Sequence, residues 1–490
     1  MKFETFEGSL QELEADLLVV ISDAQPLHDI DDDGLQERVA GIQAQFLAGK
    51  LSREVTFDPA GLKVDTVAVL STELEKLYGT WESIKILAAR GARLGAETGR
   101  PRIAFALNGP TGLEHLGRVV EGILLGAYTF EKYRQKPKKL FDEVQIVLWT
   151  RSSEQAQAQL ERTQIFCQAT NRVRDLVNEP GAVVTPAALV RRTQELAAAH
   201  GLQVEVWDQD RLIQERCVGL VNVGAGSKHP PYLATLGYQP EQPSDVHLVL
   251  VGKGVTFDSG GLSIKPGEKM HLMRGDMGGA AAVLGAMDII GQLKPSIKVT
   301  AIVVTAENSP DGNAMRPGDI LVYRNGKSVH VENTDAEGRL ILADGLLLAG
   351  DIGATHIVDV ATLTGAAGRA LGNSFTALMG SDRRLVNAIT RAGGTHGEAH
   401  WKMPLPAEYK EYIKSSVADI NNMGGPAGGC ITAGLFLQEF VPAESAWAHL
   451  DIAPTFWREK PWKYFGEGAS GVSARTLAEL ALNWAEYTAR

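Results

Sequence analysis

Cysteine is scarce in this chain, with 3 among 490 residues, at Cys167, Cys217 and Cys430. They lie far apart, are odd in number and form no CxxC pair. A disulfide framework and a thiolate zinc site are thereby excluded as organising devices, and a reducing compartment fits best. Long apolar runs are missing too, so no segment reads as a bilayer span. The first residues, Met1-Lys2-Phe3-Glu4-Thr5-Phe6-Glu7, lack a signal peptide's apolar core and carry acids early. Cytoplasmic residence is therefore expected. Basic excess is also absent. Lys and Arg total 48 against 59 Asp and Glu, giving a formal net charge of −11. That balance keeps the chain soluble and argues against extended nucleic-acid binding, which needs a basic face. The local basic run Arg134-Gln135-Lys136-Pro137-Lys138-Lys139 reads as a solvated loop. There is no His-Glu-x-x-His zinc motif, no solenoid-type repeat and no low-complexity tract.

What is present is an α/β pattern. The length exceeds one compact core, so two or three domains are expected. Residues 1–150 alternate β-branched runs with helical stretches. Leu17–Ile21, Val67–Leu70, Ile103–Leu107 and Val144–Trp149 read as strands, and Glu82–Leu94 and Leu116–Arg134 as helices. Residues 151–180 read as a linker helix ended by Asn178-Glu179-Pro180-Gly181. Residues 181–490 form the larger domain. Its apolar runs His247–Val251, Val299–Val304 and His356–Val360 suggest strands covered on both faces. Helical stretches at Ala280–Leu293 and Leu340–Ala349 alternate with them. The predicted fold class is α/β with two domains, the smaller N-terminal, the larger C-terminal with a central mixed sheet flanked by helices.

Unusual residues gather just after these strands, where open α/β sheets bind ligands. The first segment runs from Val251 to Gly261 and on through Lys265-Pro266 to Met273-Arg274-Gly275-Asp276. Glycines flanking Lys253 and Asp258 permit tight, positive-φ geometry and close approach of a ligand. Lys253, Asp258, Lys265 and Asp276 are charges in a largely uncharged stretch, and such groups are seldom buried unless paired or bound to metal. A glycine-rich turn with surface charges is the competing reading. The second segment is Asn333-Thr334-Asp335-Ala336-Glu337-Gly338-Arg339-Leu340. In an extended chain, Asp335, Glu337 and Arg339 would face one site. Two carboxylates so close repel unless a cation lies between them. The competing reading is a polar loop capping the following helix. Together Asp258, Asp276, Asp335 and Glu337 are hard oxygen ligands suited to Zn, Mn or Mg. Four carboxylates exceed one catalytic zinc and suit a shared pair of divalent ions. His271, His330, His356 and His449 lie near the motifs and read as structural.

These residues resemble the leucyl aminopeptidases, the cytosol aminopeptidases of peptidase family M17. Asn333 to Leu340 matches that family's signature without a mismatch. Val251–Gly261, Lys265-Pro266, Asp276-Met277, Asp359–Ala366 and Trp447–Ala453 also fit its pattern. The resemblance covers roughly residues 165 to 485. It implies a metallo-exopeptidase that releases N-terminal residues, preferably Leu and other apolar ones, by attack of a metal-bridging water or hydroxide. Two divalent ions per subunit (Zn or Mn, with Mg as an option) and a bicarbonate ion would be its cofactors. Lys253, Asp258, Asp276, Asp335 and Glu337 would be the metal ligands. Lys265 would stabilise the oxyanion, and Arg339 would hold the bicarbonate. Met273, Thr362 and Gly365 would line the pocket for the first side chain. The substrate's free α-amino group would pair with Asp276. A cytoplasmic homohexamer acting on peptides with a free N-terminus is implied.

The chain departs from the family pattern at Arg274-Gly275-Asp276, at Pro454 and after Gly468. No expected ligand is replaced. Other readings are a dinuclear phosphoesterase, which usually adds histidine ligands missing here, a DNA-binding relative, and an inactive scaffold. The acidic balance disfavours DNA binding, and retention of every expected ligand disfavours the scaffold.

Overall fold

The computed structural model describes residues 1–22, 32–75, 77–106, 112–137, 140–141, 144–149 and 153–489. The chain divides into two compact units: Met1–Gln168 with Lys460–Glu467, and Ala169–Glu459 with Gly468–Arg490.

The first unit runs β1 (Lys2–Phe6), β2 (Ala15–Ser22), α1 (Asp33–Leu47), β3 (Val55–Phe57), β4 (Val64–Ser71), α2 (Thr80–Glu97), β5 (Arg102–Ala106), α3 (Gly112–Gly126) and β6 (Gln145–Trp149). Helix α4 (Ser153–Asn178) follows, and the boundary between the units falls inside it. Six strands make one sheet in the order β1-β6-β5-β2-β4-β3, parallel except for β3 against β4. Both faces are covered, which is why its strands read as unbroken apolar runs. Leu17 and Val19 pack with Leu87 and Val119 on one side. Leu18 and Val20 pack with Leu35 and Phe46 of α1 on the other.

The four strands expected from the sequence are present, with Leu107 outside the described residues. The helix expected over 116–134 stops at Gly126 instead. Tyr128, Thr129 and Phe130 follow that glycine and are weak helix formers. Arg134 to Pro137 form an exposed loop, while Lys138 and Lys139 lie outside the described residues.

The second unit continues with α5 (Pro186–His200), β7 (Gln203–Trp207), α6 (Gln209–Gln214), α7 (Val218–Gly224), β8 (Tyr232–Tyr238), β9 (His247–Asp258), α8 (Gly278–Leu293) and β10 (Lys298–Asn308). Then come β11 (Ile320–Val322), β12 (Ser328–His330), α9 (Gly338–Asp351), β13 (His356–Ala361), α10 (Gly365–Leu371), β14 (Thr376–Gly380) and α11 (Arg383–Thr395). After them lie β15 (His400–Lys402), β16 (Ile420–Asn421), α12 (Gly429–Gln438) and β17 (Ala446–Asp451). The main sheet has eight strands in the order β15-β14-β17-β13-β9-β10-β8-β7. Its centre, β17-β13-β9-β10, is parallel, and antiparallel pairs flank it. No helix among the described residues is long and apolar enough to cross a membrane.

The glycines near Lys253 do not form the turn the sequence suggested. Strand β9 runs straight through them, with Gly252 opposite Val303 and Gly254 opposite Thr305 of β10. Their smallness serves packing. A Cβ on Gly252 would lie 2.7 Å from the Ala280 Cα of α8. On the opposite face, Gly345 of α9 sits where a Cβ would meet the Val251 side chain at 2.7 Å. Successive β9 residues thus seat one helix on each face of the sheet. Positive φ begins only past the strand, at Gly260 (+88°) and Gly261 (+66°).

Candidate metal centre

The carboxyl ends of three central strands deliver the site, as expected for an open α/β sheet. Asp258 ends β9, Asn308 ends β10, and Thr362 follows β13. A cavity of about 600 Å³ opens there. Every expected site residue lines it: Lys253, Asp258, Lys265, Met273, Asp276, Asp335, Glu337, Arg339, Thr362 and Gly365.

Lys253 reaches the cavity floor from inside β9 and is buried. Its Nζ donates to Asp276 Oδ1 at 2.8 Å and to the Thr362 carbonyl at 3.1 Å, and lies 2.9 Å from Glu337 Oε1. Burial opposes its charge, but the carboxylates of Asp276, Glu337 and Asp258 outweigh that and hold the ammonium above the usual lysine range. The space Lys253 occupies exists because residue 338 is glycine. A Cβ there would stand 2.4 Å from Lys253 Cε.

Asp258 is fixed from both sides. Its Oδ1 accepts from Gly260 N at 2.9 Å and from Asn308 Nδ2 at 2.8 Å, while Oδ2 lies 2.7 Å from Lys265 Nζ. Lys265 also pairs with Asp335. Burial opposes the Lys265 charge, but Asp258, Glu337 and Asp335 keep it protonated well above the ordinary range. Asp276 Oδ1 additionally accepts from Thr362 Oγ1 at 2.7 Å. Burial, with Glu337 and Asp258 adding repulsion, pushes the Asp276 carboxyl well up. Burial and the Asp258 and Glu337 charges push Asp335 up to about 6.

The donor set fits divalent cations. Asp258, Asp335 and Glu337 each offer an oxygen within 4.8 Å of the others. Asp276 Oδ2 and Glu337 Oε2 are buried and accept no hydrogen bond. Buried carboxylate oxygens left over in this way carry a desolvation cost that a bound cation would remove. Arg339 shows the opposite vacancy. Its Nη1 donates to the Asn422 carbonyl at 2.7 Å, but its buried Nε has no acceptor. Burial pulls this guanidinium down to about 10. A small anion such as bicarbonate fits that donor.

The segment 333–339 is not extended, which corrects the alternation argument. Asp335 sits in a turn, where its N–H binds Asn333 Oδ1 at 2.8 Å. Glu337 has helical dihedrals (φ −75°, ψ −36°) and precedes α9, and Arg339 lies in the first turn of that helix. The three still meet one cavity because the turn and helix start wrap around it. Neither competing reading survives as stated, because Asp258, Asp276 and Glu337 are buried and face the cavity.

Some contributors were not singled out from the sequence. Asn308 orients Asp258 and also donates to the Thr334 carbonyl at 3.1 Å. Asn422 binds the N–H groups of Glu332 and Asn333 through Oδ1, besides accepting from Arg339. Met423, Gly425 and Pro426 form part of the wall, and the glycine-rich stretch Gly424 to Gly429 was the available signal. His271, His330, His356 and His449 do not line the cavity. His449 is wholly buried with Nδ1 against Asp359.

A parallel-centred α/β sheet carrying buried carboxylates, two lysines and two arginines in one cavity defines an enzyme built around divalent cations. Comparison with known proteins narrows that class. The chain belongs to the cytosol aminopeptidase family, whose catalytic-domain model matches residues 171–478. It is a metallo-aminopeptidase, a hydrolase of peptides. A probable cytosol aminopeptidase of Alkaliphilus metalliredigens is 46% identical over 374 residues, 75% of each chain. One from Alkaliphilus oremlandii is 38% identical across 98% of this chain and 99% of its own. Among solved structures, a mutant of tomato leucine aminopeptidase superposes with a TM-score of 0.86 at 29% identity, covering 99% of this chain and 96% of its own. The bottromycin maturation enzyme BotP in complex with Mn gives 0.83 at 32% identity, covering 96% and 99%.

Proposed function

We propose that this aminopeptidase works with two divalent ions and prefers Leu and other apolar N-terminal residues. The observation that carries the reading is the pair of buried, unpartnered oxygens, Asp276 Oδ2 and Glu337 Oε2, beside the Asp258–Asp335–Glu337 cluster. Asp258, Asp276, Asp335 and Glu337 would hold the ions together with Lys253 as its neutral amine, which the nearby dications would favour over the ammonium present without them, Zn or Mn being favoured and Mg admissible. The Mn named in the BotP structure accords with such a centre. Bound there, divalent ions lower the pKa of coordinated water and polarise the scissile carbonyl.

The chain's own groups have distinct tasks. Asp276 accepts an N–H of the substrate's terminal amine, which selects for a free N-terminus. Lys265, mostly buried but open to the cavity, donates to the carbonyl oxygen as negative charge develops on it. Arg339 would hold bicarbonate through its spare Nε, placing general-base chemistry at the reacting bond. Met273, Thr362 and Gly365 border the recess for the first side chain, with apolar Leu363, Ala453 and Phe456 close by. Apolar walls discriminate by only about 1–3 kcal/mol per methylene, so specificity is broad. None of the described residues lining the cavity is histidine, which disfavours the phosphoesterase alternative. A homohexamer residing in the cytoplasm completes the reading.

The test is hydrolysis of leucine p-nitroanilide by purified protein as isolated, after exhaustive chelation, and after restoring Zn²⁺ or Mn²⁺. N-acetylated substrate is the control. Loss on chelation, recovery with metal at two ions per subunit, and no cleavage of the blocked substrate are expected. Full activity in the chelated protein, or recovery at one ion per subunit, would overturn the two-ion reading.

A further inference from the structure

Arg369 is the one charged group of the cavity wall, among the described residues, that has no protein partner. Lys253, Asp258, Lys265, Asp276, Asp335 and Glu337 pair with one another, and Arg339 holds the Asn422 carbonyl. Arg369 lies on α10, four residues after Gly365, and so on the same helix face. It lines the same cavity as the carboxylate cluster. Its Nη1 sits 3.4 Å from the point a Gly365 Cβ would occupy, so the guanidinium rests against bare backbone at the substrate recess. Asp451 fixes the approach to that helix by accepting from Leu363 N at 3.1 Å and Thr364 Oγ1 at 2.7 Å. The guanidinium is thus mounted on an anchored element. It is exposed and faces the volume a peptide would fill.

We infer that Arg369 is a specificity-determining residue that pairs with a carboxylate of the peptide substrate. A guanidinium offers a planar fork of donors that matches a carboxylate, and no protein acid competes for it. The carboxylate has two sources: an acidic side chain on the first residue, or the free C-terminus of a short peptide. This rests on the aminopeptidase site described above, in which Asp276 takes the amino end and Gly365 borders the first side chain. It adds a charged selectivity to a recess otherwise read as apolar.

The experiment measures kcat/KM of the metal-loaded full chain on two substrate pairs. Glutamate p-nitroanilide against leucine p-nitroanilide reports the side-chain source. Leu-Gly against Leu-Gly-amide, followed by leucine release, reports the C-terminal source. Ratios taken within one variant cancel differences in active fraction. Removing a partly solvated pair of this kind shifts a ratio by about three- to tenfold. We expect Arg369→Ala to lower at least one ratio by that factor, Arg369→Glu to lower it further, and Arg369→Lys to keep most of it. The wild-type ratio should also shrink in 0.5 M salt, since exposed charges are screened within about 3–10 Å. The ratio that falls identifies the carboxylate. Both ratios holding constant across the three variants would overturn the inference. Failure of the wild type to hydrolyse any of the four would overturn the reading of the site, and this inference with it.

Discussion

Gly338 is the position where one added methyl group should do most damage. It opens α9 between Glu337 and Arg339. In a helix, replacing glycine by alanine ordinarily stabilises by about 0.5–1 kcal/mol. Here a Cβ would lie 2.4 Å from Lys253 Cε, 2.7 Å from Nζ and 2.9 Å from Cδ. Lys253 cannot slide away freely. Its backbone is strand-paired, and Gly279 packs so closely that its own Cβ would sit 2.9 Å from Lys253 N. The amine must leave its place among Asp276, Glu337 and the Thr362 carbonyl. Losing two hydrogen bonds to charged groups costs about 3–6 kcal/mol, which exceeds the gain in helix propensity. A net loss of about 2–5 kcal/mol follows, and displacement of a site group by about 1 Å lowers kcat by about 100-fold. The assay combines metal content by mass spectrometry, thermal unfolding and kcat/KM on leucine p-nitroanilide. Gly41 supplies the control, because it lies inside α1 with nothing within 4 Å of its would-be Cβ. Gly41→Ala should leave kcat/KM alone and raise stability slightly. A Gly338→Ala protein with full metal content and kcat/KM within about twofold of wild type would refute the reasoning.

Three further outcomes are expected. Asn308→Ala removes one of two hydrogen bonds that orient Asp258 Oδ1, so metal affinity should fall about 10- to 100-fold in a chelator competition titration; an unchanged affinity would count against the role of Asn308. Arg339→Lys keeps a charge but loses the spare Nε donor, so stimulation of the rate by added bicarbonate should vanish, and persistence of the full wild-type response would exclude the anion site. Burial pushes the His400 imidazole down to about 4, overcoming the opposing pull of the Glu398 carboxylate and backbone. Its folded value lies below the unfolded value of about 6.5, so its contribution is complete above that pH and lost as pH falls toward 4. Between pH 7 and pH 5 this amounts to about 2 kcal/mol, and His400→Phe should lose that much less stability than wild type in urea unfolding at the two pH values.

The sequence displayed the chemistry better than the geometry, and particular residues show why. Asp335, Glu337 and Arg339 announce themselves as charges among small residues. Their convergence was inferred from strand alternation, yet it comes from a turn running into a helix, with Glu337 already at φ −75° and ψ −36°. Residue type survived the wrong local conformation because two-residue spacing can face one cavity in more than one way. Strands β2, β4, β5, β6, β9, β10 and β13 were legible because covered sheets demand unbroken apolar runs, as at Leu17–Ile21 and His247–Val251, whereas β1, β3, β7, β8, β14, β15 and β17 were not read as strands. Glycine was the harder residue to read. Gly252 suggested a turn, and Gly279 and Gly338 gave no signal, but each is small because a helix, a strand carbonyl or a lysine side chain takes the space its Cβ would fill. That requirement is set by residues distant in sequence: Val360 lies 2.0 Å from the Gly279 Cβ position, through its carbonyl oxygen. Asn422 was hidden for the same reason, since it serves Arg339 from 83 positions away. Arg369 had no motif to mark it, because an unpaired cation becomes informative only when its neighbours in space are known to be paired. The ligand types were therefore legible locally, whereas the shape that makes them a site lies in long-range contacts that no local pattern carries.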